Sequence, residues 1–302
     1  MKVLVADPIH EDGLARLREF AEVELSTDLS HDDLIEKVPE FDAMVVRSAT
    51  KVGKDVLEAA ENLKLIVRAG VGLDNIDLDS AEKIGIKVKN TPEASTNAVA
   101  ELTMAFMLSW ARKMLQADGS LRDGKWIKSQ LVGTELRNKT LGIVGVGRIG
   151  LEVARKAKAF DMALLGYDIR KRKKFRKLGG EYVKLEKLLK KSDYVTLHVS
   201  LSPDTKYMID KPEIDLMKDS AVLINTARGS VVNEEALIEA LLEGKIAGAC
   251  LDDYEEDPLE DGRLVDLKNN ILTPHIGAST EEAQSGVGLL VAEKVKEVLK
   301  EY

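Results

Sequence analysis

Apolar positions along the chain fall into two textures. Through the first ninety residues, short apolar runs at 3–6, 23–25, 43–46, 65–67 and 86–89 alternate with stretches at 13–20, 32–38, 55–60 and 80–84 where apolar residues return every three or four positions. An uninterrupted apolar run suits a strand buried on both faces, and the longer period suits helices that cover it. This part therefore reads as a parallel sheet wrapped in helices. The stretch 98–117 is apolar on most sides, through Val99, Leu102, Phe106, Met107 and Trp110 among others. It predicts one long helix buried on more than one face, against another domain or against its copy in a dimer. Strand texture returns at 141–144, 162–167, 194–199, 221–225, 246–251 and 271–273. Asn233 is set to cap a helix ending near Gly244, and Ser279 with Glu282 forms a capping box for a last helix reaching Glu297 or beyond.

The centre of the pattern is 141–168. The run Leu141-Gly142-Ile143-Val144 enters Gly145-Val146-Gly147-Arg148-Ile149-Gly150, a helical stretch follows, and a second apolar run closes on Asp168, eighteen residues beyond Gly150. That is the order and length of a dinucleotide-binding strand–helix–strand unit. Gly145 permits the tight turn, Gly147 lets a pyrophosphate approach the backbone, and Gly150 lets the helix sit close on the strand. The helix N-terminus offers N–H groups to phosphate, and Asp168 is placed to accept both hydroxyls of an adenosine ribose. A carboxylate there repels a 2′-phosphate, which makes NAD the expected cofactor. The basic run 170–174 reads as a solvated helix start.

Composition narrows the function classes. The chain has 302 residues, enough for two domains, and carries a net charge of −8, which argues against nucleic acid or an anionic membrane surface as the main partner. No apolar run approaches the roughly 20 residues that span a bilayer, and the N-terminus reads as a first strand rather than a signal peptide. The single cysteine, Cys250, lies in an apolar run and reads as a small buried hydrophobe in a reducing, cytoplasmic compartment. No cluster of residues has metal-ligand spacing, so no metal is expected. With no Ser-, Pro- or Gly-rich linker, the domain boundary is expected at the helix beginning near Asn97. Two chain crossings there would make a hinged cleft of the kind ligands occupy.

Four histidines are available. His10 and His31 read as surface or capping residues, and His198 as a structural group or a wall of the cofactor site. His275 follows a strand, after Thr273-Pro274, where open α/β sheets bind ligands, and it can move a proton near neutral pH. Arg228 follows another strand in Asn225-Thr226-Ala227-Arg228-Gly229, and its planar fork suits a carboxylate. The acidic run 252–257 follows a third. An acid beside His275 would orient the imidazole and support its charged form. Arginine, acid and histidine on successive strand ends beside a nicotinamide are the parts needed to oxidise a 2-hydroxy acid.

The chain resembles the D-2-hydroxyacid dehydrogenase family essentially end to end. The motifs that carry the resemblance are Val46 to Lys51, Arg68 to Asp77, Asn97 to Leu102, the glycine motif, Asn225 to Gly229, Leu251 to Pro258 and Pro274 to Gly277. Within the family, the branch acting on D-3-phosphoglycerate is the most similar. The resemblance implies two doubly wound parallel-sheet domains with a cleft between them. Residues 1–97 and 279–302 would form the substrate domain, and the Rossmann-type NAD domain, 98–278, would be inserted in it. It implies a homodimer built on the NAD domains. It implies Arg228, Asp257 and His275 as catalytic residues, with Asp257 in the place of the family's usual glutamate and one methylene shorter. Cofactor contacts would come from Gly145, Gly147, Arg148, Ile149, Gly150, Asp168, Val199, Thr226, Asp252 and Gly277. Substrate contacts would come from Arg47, Ser48, Lys51, Arg68, Gly70, Val71, Gly72 and Asn97. Asp253 stands where the family usually has an apolar residue. The implied activity is NAD-dependent oxidation of D-3-phosphoglycerate, the entry step to serine. The alternatives are glyoxylate or hydroxypyruvate reduction and, in another class, an NADH-sensing corepressor-type binding protein. As the chain ends at Tyr302, the C-terminal regulatory domains of longer relatives, and feedback through them, are not expected.

Overall fold

The computed structural model describes residues 1–300 other than Asp257 and Glu260. The chain forms two compact units, one from residues 1–95 with the segment from Ala278 onward, the other from Thr96–Gly277.

The first unit is built on five strands, β1 (Lys2–Val5), β2 (Glu22–Leu25), β3 (Ala43–Val46), β4 (Leu65–Arg68) and β5 (Lys87–Asn90). They pair in parallel in the order β2-β1-β3-β4-β5. Alternate side chains serve two cores. Val3, Val5, Ala43, Val45, Leu65 and Val67 meet Leu14 and Leu17 of the helix Glu11–Arg18 and Val287, Val291 and Val295 of the last helix, Glu281–Leu299. On the other face Leu4, Met44, Val46 and Ile66 meet Leu34, Val56, Leu57 and Ala81. A strand buried on both sides has no position for a polar side chain, hence the unbroken apolar runs. The last helix lies so close to the first that a Cβ on Gly13 would stand 2.5 Å from the Gly288 Cα. Its N-cap is Thr280, whose hydroxyl accepts from the Ala283 N–H at 3.2 Å, so the expected Ser279–Glu282 box does not form. Two neighbouring hydroxyl residues make the cap signal ambiguous by one position.

The second unit holds β6 (Thr140–Val144), β7 (Ala163–Tyr167), β8 (Glu181–Tyr182), β9 (Tyr194–Leu197), β10 (Val222–Asn225), β11 (Gly248–Leu251) and β12 (Asn270–Leu272), all parallel, in the order β12-β11-β10-β9-β6-β7-β8. Leu141, Ile143, Val222, Ile224 and Cys250 face the helices Thr96–Ala111 and Arg148–Ala159 through Phe106, Met107, Val153 and Ala157. Val195, Leu197, Leu223 and Leu251 face Leu188, Leu189, Ile214 and Leu237 on the other side. Cys250 is fully buried, which pushes its thiol well above the usual range and removes it from nucleophilic chemistry. The predicted single helix over 98–117 is two helices, Thr96–Ala111 and Met114–Arg122, separated by Lys113 in a left-handed conformation at φ 51°. The Ala111 carbonyl, which would continue the first helix, instead accepts from the Thr134 N–H at 2.8 Å. A tertiary partner 23 residues ahead overrides a continuous apolar pattern. Among the described residues, no helix is long and apolar enough to cross a membrane.

The contact between Gly13 and Gly288 leaves no room for a side chain. Gly13→Val is expected to destabilise the first unit by about 2 kcal/mol through overpacking, read as a lower thermal unfolding midpoint.

Candidate active site

In the second unit the order of strands reverses between β6 and β9, and loops leaving the C-terminal edge on either side of such a switch point diverge to form a crevice. The glycine turn follows β6. Gly145, at φ +89°, donates its N–H to the Tyr167 carbonyl at 2.8 Å, and a Cβ there would stand 2.6 Å from the His198 carbonyl oxygen. A Cβ on Gly150 would collide with the Gly145 carbonyl, whereas one on Gly147 would meet only open space. Gly147 is also the N-cap of the helix Arg148–Ala159 and supplies no side-chain cap. The turn therefore presents uncapped helix N–H groups to a space that a pyrophosphate fits. Arg148 is exposed and Ile149 half-buried at this helix start. Asp168, at the end of β7, is half-buried and accepts from the Arg170 N–H at 2.7 Å.

Past β9, His198 is held neutral, because burial lowers its pKa from 6.5 to about 3. Its Nε2 pairs with the Thr196 hydroxyl at 3.0 Å, while its buried Nδ1 has no hydrogen-bond partner among the described residues. Val199, the next residue, is half-buried. Thr226, past β10, shares a buried hydroxyl contact of 3.2 Å with Thr103 on the helix Thr96–Ala111. A crevice with open space at Gly147, free helix N–H groups and a buried imidazole nitrogen behind it fits a dinucleotide.

The groups with acid–base and anion-binding chemistry lie past β10, β11 and β12. Asn225 clamps the turn after β10: its Oδ1 accepts from the Ala227 N–H at 3.0 Å and its Nδ2 donates to the Arg228 carbonyl at 2.9 Å. Arg228 then donates from Nη1 to the Ala227 carbonyl at 2.7 Å and faces Asp253 Oδ2 at 3.5 Å. Gly229 lies against the Tyr254 backbone, with no space for a Cβ. After β12, His275 adopts a left-handed backbone at φ 51°, a costly conformation for a residue other than glycine. Asp252, only 2% exposed, over-determines that loop: its carboxylate accepts from the Thr273 hydroxyl at 2.6 Å, the Ile276 N–H at 2.8 Å and the Gly277 N–H at 2.7 Å. The buried Tyr254, its hydroxyl pushed up to about 12 mainly by desolvation, donates to the Thr273 carbonyl at 2.9 Å. His275 Nε2 thereby stands 3.5 Å from Asp253 Oδ2. Arginine, acid and imidazole are gathered as one cluster. Asp257, the acid that the family resemblance pairs with His275, lies outside the described residues.

The remaining sequence candidates are in the first unit, except Asn97, which is exposed in the first turn of the helix Thr96–Ala111 and donates to Glu101 at 2.9 Å. The first unit has its own switch point between β1 and β3. There the buried Asp7 accepts from the N–H groups of Arg47 and of Thr50, the latter at 3.3 Å. Asn75 closes the same loop by donating to the carbonyls of Arg47 at 2.7 Å and Thr50 at 2.6 Å. Arg47 is half-buried, with Nη1 on the Pro8 carbonyl at 3.2 Å; Ser48 and Lys51 are exposed. After β4 the Arg68 guanidinium lies over Gly70, whose φ of +154° and crowded Cβ position both call for glycine. Val71 and Gly72 continue this loop half-buried, with Asn90 donating to the Val71 carbonyl at 2.6 Å. Asp7, Asn75, Asn225 and Tyr254 shape these loops and were not singled out from sequence. Asn75 and Asn225 sit inside motifs that were, and an acid directly after a buried strand is a signal that would have found Asp7.

The profile of the family described as D-isomer specific 2-hydroxyacid dehydrogenase, NAD binding domain, matches residues 104–277. A D-3-phosphoglycerate dehydrogenase of Methanocaldococcus jannaschii is 50% identical over 99% of this chain, which covers 58% of that protein. The chain thus spans little more than half the length of that relative. A hydroxypyruvate reductase of Thermotoga maritima is 47% identical over 97% of both chains. Among solved structures, the D-lactate dehydrogenase of Aquifex aeolicus, complexed with NAD and lactic acid, superposes with a TM-score of 0.90 at 31% identity, covering 100% of this chain and 96% of the other.

Asp252 is the anchor of the His275 loop, so Asp252→Ala leaves three donors without their acceptor. The expected cost is about 2 kcal/mol, measured by chemical denaturation, with more rapid amide exchange at Ile276 and Gly277.

Proposed function

Because the chain belongs to the D-isomer specific 2-hydroxyacid dehydrogenase family, we propose that it is an NAD-dependent oxidoreductase interconverting D-3-phosphoglycerate and 3-phosphohydroxypyruvate. The observation that carries the reading is the cluster of Arg228, Asp253 and His275 on successive strand ends of the NAD-binding unit, with Asp253 Oδ2 3.5 Å from both partners. Arg228 binds the substrate carboxylate and polarises the C2 oxygen. His275 takes the C2 hydroxyl proton on oxidation and returns it on reduction. Bound NAD supplies the acceptor for the hydride that leaves C2. The glycine turn, Asp168, Val199, Thr226, Asp252 and Gly277 hold and orient the dinucleotide, with Arg148 and Ile149 at the helix start, and a carboxylate at Asp168 favours NAD over NADP. By the family resemblance, Asp257 would take the part of the acid partner of His275.

The residues of the first unit favour a phosphorylated acid. Arg47, Lys51 and Arg68, with the Ser48 hydroxyl and the backbone of Gly70, Val71 and Gly72, supply cations and donors around strand ends where a ligand phosphate can be bound. This unit is the substrate domain in the proposal. The reading places the enzyme at the entry to serine synthesis, in the cytoplasm. A second reading, reduction of hydroxypyruvate or glyoxylate, is favoured by the Thermotoga relative, whose length this chain matches almost completely.

We further propose a homodimer formed through 108–132. Leu121, Trp126 and Val132 expose 60%, 82% and 77% of their surface, with Leu108, Met114 and Leu115 exposed beside them in sequence. Apolar exposure concentrated in this way marks an interface.

NADH absorbance with equal 3-phosphohydroxypyruvate, hydroxypyruvate and glyoxylate separates the two readings. The expected preference is for the phosphorylated acid, lost by about tenfold in kcat/KM in Arg47→Ala while the unphosphorylated acids are unaffected. Equal or better turnover of hydroxypyruvate would favour the second reading. His275→Asn is expected to lower kcat about a thousandfold and to leave NADH binding, followed by fluorescence, unchanged. Sedimentation should give a dimer, and Trp126→Asp with Leu121→Asp should give a monomer.

A further inference from the structure

Asp253 stands two residues past β11, whose residues are all buried, and it is itself 7% exposed. Its two oxygens do different things. Oδ1 accepts the Gly229 N–H at 2.8 Å, which pins the carboxylate to the turn that carries Arg228. Oδ2 stands 3.5 Å from Arg228 Nη1 and 3.5 Å from His275 Nε2. Resting on the dehydrogenase reading above, we propose that Asp253 is a positioning residue of the reaction centre: its carboxylate holds guanidinium and imidazole side by side and offsets the charge they carry when both are cationic.

The physical case rests on what those two groups must do. Arg228 is always a cation, and His275 becomes one whenever it has taken the hydroxyl proton. Two cations facing one small substrate repel each other, and although solvent at Arg228 and His275, 23% and 39% exposed, screens part of that repulsion, the buried Asp253 carboxylate between them acts with less screening. One oxygen shared between them lowers it. The same oxygen also competes with the substrate carboxylate for Arg228. Asp253 therefore weakens ground-state binding of the acid and assists the step in which the imidazole gains charge, which is the distribution of interaction energy that raises turnover.

Loss of the Asp253 charge moves two readouts in opposite senses, which loss of a purely structural contact does not. Asn at 253 keeps an oxygen to accept from Gly229 but loses the charge, so Asp253→Asn is expected to unfold within about 2 °C of the unchanged protein. Calorimetric titration with oxalate in the presence of NADH should give about threefold tighter binding, and steady-state oxidation of the preferred 2-hydroxy acid, the direction in which His275 gains charge, about tenfold lower kcat with KM no higher. Oxalate affinity and kcat both unchanged in this variant would overturn the proposal and leave Asp253 as an anchor for Gly229. A raised KM with unchanged kcat would also overturn it, by putting Asp253 against substrate rather than between its two partners. If the unchanged protein reduced no 2-oxo acid, the dehydrogenase reading would fall, and the oxalate comparison would still decide the effect of the Asp253 charge on Arg228.

Discussion

A parallel sheet covered on both faces leaves a working side chain one place to be, past the C-terminal end of its strand. Both units obey this constraint. Within β3, β9, β10 and β11 most side chains enter one of two cores, and polar chemistry begins with the residue that follows, Arg47, His198, Thr226 and Asp252; after β1 it begins one residue further on, at Asp7. The sheet order then decides which of these loops are neighbours. Because β9 stands beside both β6 and β10, the loop carrying His198 touches the glycine turn on one side and leads toward Thr226 on the other.

Close approach of backbones is the second half of the same economy. Gly145 against His198, Gly150 against the Gly145 carbonyl and Gly229 against Tyr254 are all positions where a Cβ has no room. Each brings a loop to its neighbour more tightly than an alanine would allow, and each is next to a group with chemistry. Gly147 differs: a Cβ there would meet nothing of the protein, so the glycine leaves the backbone at the helix start open to a ligand.

Arg228, His275 and the glycine turn were legible in the sequence because each depends on local order alone, a motif or a polar residue ending an apolar run. The two-layered cores were legible for the same reason, since burial on both faces writes itself as an unbroken run. What was not legible depends on pairing between distant segments. The break at Lys113 needs Thr134 to take the Ala111 carbonyl, and no pattern in 98–117 encodes that. Asp253 was visible only as an acid in an unexpected place, because the partners of a carboxylate in the run 252–257 follow from which strands flank β11.

That flanking arrangement explains why two consecutive acids are used. β11 lies between β10 and β12, so the segment leaving it has the loop of a neighbouring strand on either side. Asp252 reaches the β12 loop through Thr273, Ile276 and Gly277, and Asp253 reaches the β10 loop through Gly229 and Arg228. His275 needs both. Its left-handed backbone costs of order 1 kcal/mol and persists because Asp252 fixes the residues on either side of it. With the backbone so held, the imidazole is delivered to Asp253 and hence to Arg228.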